Sequence, residues 1–227
     1  MTKLIHFLTY SHVIAGAISL IAAPIALAVV KGGKAHRLWG KIFFWMMTWI
    51  FITATIISIY KSIPFLLMLA IFSYFLVVTA YRALYLKTFP REVKWYDWLI
   101  AIISGGFMFY FISSGIYLVV LNQETIAYLS IMFGFGGLYL VTKNILSFIR
   151  PPKTKQDWLF RHIGYMTGGF IASVTAFSAN VLFFMPGLLQ WAWPSLIGVP
   201  LIIYWIRSYK RKLDEGIPIS KLVELKR

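Results

Sequence analysis

Four histidines are the side chains of this 227-residue chain best suited to proton, metal or ligand chemistry, since it has no cysteine and only 7 acidic residues. Thiol catalysis, thiolate metal sites and disulfides are excluded at once. His6 and His12 share one apolar run near the N-terminus. Six residues apart, they lie about 240° around a helix from one another and cannot hold one ion together. His36 and His162 stand in the pairs His36-Arg37 and Arg161-His162, each at the start of another apolar run. Two imidazoles on facing helices can ligate heme iron axially. Arg37, Arg161 and Lys143 would then hold propionates, a phosphate or a quinone headgroup.

Polar side chains inside apolar runs are expensive in lipid and therefore functional candidates. His12, Asn144 and Asn180 are of this kind. His12 needs partners for two ring nitrogens. With Asn180 at comparable depth and nearby aromatics, it would line an interior pocket for a small or lipidic molecule. The plainer reading makes His12 a structural histidine bonded across helices, and sets His36 and His162 beside lipid phosphates. Other chemistries lack their parts. The Gly105-Gly106 and Gly136-Gly137 groups have no P-loop lysine spacing. No Gly-x-Ser-x-Gly or Ser/His/Asp set occurs. The lack of a mid-membrane carboxylate argues against a proton pump or cation transporter built on one.

The elements that must position these residues follow from composition. Hydrophobic residues make up 60% of the chain and charged residues 13%, with a mean hydropathy of +0.78. A soluble domain is about 45–50% apolar and about 25% charged, so the chain reads as a multi-pass membrane protein. A helix needs about 20 apolar residues to cross the hydrocarbon core. Seven stretches qualify: Leu4–Val30, Leu38–Tyr60, Pro64–Leu84, Asp97–Leu121, Ile126–Phe148, Phe160–Met185 and Trp193–Tyr209. Runs this long are helical, because barrel strands would be about 10 residues and alternating. The expected fold is all-α: a polytopic integral membrane bundle of seven transmembrane helices over residues 1–209, then a basic cytoplasmic tail over 210–227. That tail reads as a solvated segment, with Ile217, Ile219, Leu222 and Val223 offering a weak surface-binding alternative.

Charge placement gives the orientation. Of the 22 lysines and arginines, all but Lys3 and Lys61 fall in the odd-numbered loops and the C-terminal segment. Positive charge accumulates on the cytoplasmic side, so the N-terminus is expected outside and the C-terminus inside. The net charge of +15 is thereby explained without a nucleic-acid partner. The expected partners are the bilayer and anionic lipids at its cytoplasmic face. Small residues let helices approach closely. Ala15, Gly16, Ser19, Ala22, Ala23 and Ala26 mark such a face on the first helix, and Ser130, Gly134 and Gly137 mark one on the fifth.

The run from His12 through Gly16, Leu20 and Pro24 to Lys31-Gly32-Gly33-Lys34-Ala35-His36-Arg37, then Gly40-Lys41, resembles an uncharacterised family of bacterial multi-pass membrane proteins. His162, Met166, Ala172, Thr175-Ala176-Phe177 and Asn180 look like a second recurring segment of that group. The resemblance implies a bacterial plasma-membrane location and supplies no activity. His36-Arg37-x-x-Gly40 is also faintly similar to helices of ferric-reductase-like membrane cytochrome b domains, although two stacked histidine pairs are missing here. Three functions stay open: a binding or transport module with a pocket near His12; a redox protein with one heme b or quinone near His36 and His162; and a structural protein without a ligand.

Overall fold

The computed structural model describes residues 2–88, 90–122, 124–152 and 154–224. Lys153, Lys226 and Arg227, which enter the charge argument above, lie outside them. The described residues form seven long helices and one short one: α1 (Thr2–Ala28), α2 (Lys34–Tyr60), α3 (Pro64–Ala83), α4 (Trp95–Val120), α5 (Glu124–Ile149), α6 (Asp157–Val181), α7 (Gly187–Asp214) and α8 (Ile219–Leu222). Six of them, α1 to α5 and α7, are long and apolar enough to cross a membrane. The chain is an all-α, polytopic membrane helical bundle. Its outward faces fit that solvent. Trp45, Ile59, Phe109, Ile116 and Leu201 are all exposed, which in water would be a severe liability.

Helices α3 and α6 stand at the centre. Helix α3 packs on α2, α4, α5 and α6, and α6 packs on α1, α3 and α7. One core joins the middle of the bundle, with Phe75, Leu76, Met108, Phe111, Val141 and Tyr165 buried together. A second seats Phe43, Phe44 and Met47 of α2 against Ala22 and Ala23 of α1 and Val77 of α3. The small faces expected on α1 and α5 are used. Ala15, Ser19, Ala22, Ala23 and Ala26 are buried, as is Ser130. Gly134 and Gly137 sit against Ile112 and Met108 of α4.

Helix ends differ from the expected runs where polar side chains, and not hydropathy, decide them. Helix α6 starts at Asp157 and stops at Val181, short of Met185. Helix α7 starts at Gly187, before Trp193, and continues past Tyr209 to Asp214. Pro194 lies inside it and cannot donate to the carbonyl four residues back, that of Gln190. The Ser178 hydroxyl of α6 donates to that carbonyl at 2.7 Å. The Gln190 side-chain amide returns bonds to the Ser178 and Ala179 carbonyls at 3.1 and 3.0 Å. The proline's missing donor thus becomes a stitch between α6 and α7. After Asp214 the chain turns at Gly216, φ +82, and α8 folds back so that Val223 is buried beside Trp158 and Leu159.

Candidate functional site

His36 and His162 come together. Their ring centroids are 6.4 Å apart and their planes are inclined at 71°. Each ring is aimed by a carbonyl of a third and fourth helix. His36 Nδ1 donates to the Ala26 carbonyl of α1 at 2.9 Å. His162 Nδ1 donates to the Ala80 carbonyl of α3 at 3.0 Å. Both carbonyls belong to the last four residues of their helices, where no intrahelical donor is available. The histidines therefore cap α1 and α3. Because a carbonyl can only accept, Nδ1 carries the proton in both rings, which leaves each neutral imidazole with a bare Nε2. Neither Nε2 has a hydrogen-bond partner among the described residues.

The two rings line one cavity of about 380 Å³, within the range of ligand sites. Its α6 wall is a single helical face made by Leu159, His162, Met166 and Phe170. Its α2 wall is His36, Gly40 and Phe43, again at three- and four-residue spacing. Trp158, Trp205 and Tyr81 enlarge the aromatic lining, while Lys31, Arg37, Lys41 and Lys87 give it cations. Glu224 is the one acidic residue in that lining. Lys31 donates to the Leu27 and Val29 carbonyls and stands 5.3 Å from the Trp205 ring centre. Burial pulls its ammonium below the ordinary lysine range. Lys87 lies 4.6 Å over Trp158, and Arg37 donates to the Gly32 carbonyl.

Other candidates lie elsewhere. Arg161 turns away from its neighbour His162 and donates to Asn144 Oδ1 at 2.7 Å. The pair lines a separate small void with Arg82, Asp97 and Phe148. Its Nε and Nη1 are buried without partners. Lys143 is exposed and stacks over Tyr139. His12 Nδ1 bonds Thr53 Oγ1 of α2 at 2.9 Å, and Asn180 returns its amide to the Ala176 carbonyl of its own helix at 2.7 Å. No hydrogen bond joins His12 to Asn180 among the described residues. Arg82 and Arg91, which the sequence reading used only for orientation, complete the charge pattern. Arg82 grips Asp97 with two bonds of 2.6 and 2.7 Å, and Arg91 reaches Asp157 at 2.8 Å. The cavity lysines Lys31, Lys41 and Lys87 were likewise not read as site residues. Arg37 and Lys41, one turn apart beside His36, were the available signal for one wall.

The donor set limits what the cavity can hold. Among the described residues no group of three or more His, Asp or Glu could bind an ion. Two bare imidazole nitrogens suffice for a metal that brings its own equatorial ligands, as porphyrin iron does. The two rings, 6.4 Å apart between centres, bring these two nitrogens to one cavity. A quinone carbonyl needs a donor, which here would come from the cavity's lysines and arginine and not from a bare Nε2. No family model, curated protein or solved structure matches this chain.

Proposed function

We propose that the chain is a seven-span protein of a bacterial plasma membrane, N-terminus outside and C-terminus cytoplasmic, that holds one heme b between α2 and α6. His36 and His162 would hold it, and the chemistry it would supply is one-electron transfer near the cytoplasmic leaflet. The meeting of two histidines at one cavity, each with Nδ1 committed to a backbone carbonyl, carries the reading. The faint likeness of His36-Arg37-x-x-Gly40 to membrane cytochrome b domains agrees with it. So does the polar character of α6, which would supply one ligand, packs on α1, α3 and α7, and would be the seventh span of this reading.

The heme would supply an iron that exchanges one electron without moving a proton. The chain's own residues do the rest. The Ala26 and Ala80 carbonyls fix both rings and make each Nε2 a better electron donor, the usual effect of an outer hydrogen bond on a ligand. Phe43, Met166 and Phe170 exclude water from the ring faces. Lys31, Arg37, Lys41 and Lys87 supply counter-charges for two carboxylates. With His36 and His162 both available to hold it, the group would serve electron transfer.

The test is the spectrum of protein purified in mild detergent from heme-supplemented cells. A Soret band that sharpens and shifts on reduction is expected. It should be lost in His36→Ala and in His162→Ala, and kept in His12→Gln. A colourless preparation would overturn the assignment. The cavity's volume and apolar walls favour a second reading, a binding or transport module for a lipidic molecule. That reading gains if the colourless protein copurifies with such a molecule.

A further inference from the structure

The cavity has a mouth at the α1–α2 loop, and the C-terminal segment lies across it. Val223 and Glu224 line the same space as His36 and His162. Three features hold the segment there. The Glu224 N–H donates to the Lys31 carbonyl at 2.7 Å. Val223 is 7% exposed and packs with Trp158 and Leu159. Gly32, at φ +78, gives its space to the tail: a methyl group there would overlap the Glu224 carbonyl, and one on Gly33 would stand 3.0 Å from the Glu224 carboxylate. The Gly32-Gly33 pair is therefore the seat on which the tail rests. The return is prepared upstream, where Gly216 at φ +82 lets the Ile217 N–H close on the Lys212 carbonyl at 3.0 Å.

We propose that residues 217–224 form a lid on this cavity, and that its opening sets access from the aqueous side to the two histidines. One four-residue helix, one backbone bond, one buried valine and the half-buried Ile219 and Leu222 beside it are a small anchorage. Segments tied down by so few buried contacts open locally, well below the cost of global unfolding. The molecule admitted has the chemistry of the cavity: flat and apolar, with anionic groups that meet Lys31, Arg37, Lys41 and Lys87. Only this identification rests on the heme reading; the closure stands on the packing of the tail.

The absence of native cysteine makes the test clean, because an introduced thiol is the only one. Thr167→Cys places a thiol on the cavity wall, and Ala23→Cys places a second reporter there independently. The rate of reaction with a water-soluble maleimide is measured on heme-free full-length protein. Val223→Asp, and a chain ended after Gly216, should each label about tenfold faster than the parent, since a buried valine is worth about that factor. Val223→Ile should label at the parental rate. Size-exclusion profiles establish which variants remain folded, and the point substitution and the truncation report independently. Equal rates in parent and open variants would overturn the lid. Fast labelling in a protein that never takes up colour would uphold the lid and refute the heme. A Soret band with unchanged labelling would do the reverse.

Discussion

Arg161 carries a buried guanidinium with one hydrogen-bond partner, Asn144, and no carboxylate within ion-pair reach among the described residues. A buried charge that loses its partner is destabilising, whereas removing the charge altogether is often neutral or better. Asn144→Ala should therefore cost about 1–3 kcal/mol, while Arg161→Met should be neutral or raise the melting temperature. Tryptophan fluorescence during thermal unfolding in detergent reads both. If Arg161→Met were the more damaging change, the guanidinium would be serving a group beyond Asn144. The residue scale is also where sequence reading reached its limit. His36 and His162 were legible as a pair because each opens an apolar run beside an arginine. The carbonyls that fix their tautomers were not, because Ala26 and Ala80 act through backbone, which leaves no mark in residue type. Nor could adjacency in sequence tell that Arg161 and His162, about 100° apart on a helix, serve different spaces.

Helix pairing was legible where small residues recur and illegible where single polar bonds decide an end. The Ser130, Gly134 and Gly137 spacing announced a close-packing face on α5; the structure sets α4 against it, with Gly115 as the counterpart. A methyl on Gly115 would lie 2.9 Å from the Ala127 carbonyl and 3.0 Å from the Ile131 nitrogen. Alanine gains about 1 kcal/mol over glycine in helix propensity, but overpacking against backbone costs about 1–3 kcal/mol. Gly115→Ala should lower the melting temperature. Gly136→Ala, with nothing within 4 Å of its added methyl, should hold or raise it. A fall of equal size in both would show that glycine flexibility, and not the close contact, is what matters. The early start of α7 could not be read from hydropathy. It depends on Gln190 and Ser178 exchanging bonds across two helices.

For the whole molecule, the proposed orientation, drawn from the asymmetry of charge, is one that labelling in intact cells can check. Cysteine at Lys61 should react with a membrane-impermeant maleimide from outside, and cysteine at Lys212 should react only after lysis. Reaction of both from one side would overturn the seven-span arrangement and the leaflet assigned to the histidines. The bundle's layout also bears on how it is made. Helix α6 is flanked by α1, α3 and α7, yet it is the long helix that falls short of the apolarity of a span, with Arg161 and His162 near its start and Thr175 and Asn180 near its end. Polar and charged residues in a span weigh against spontaneous entry into lipid. Such a segment should enter together with α7, to which Ser178, Gln190 and Trp193 join it. A nascent chain ending before Gly187 should leave α6 behind at the membrane surface, open to quality-control proteases that never see it in the finished protein.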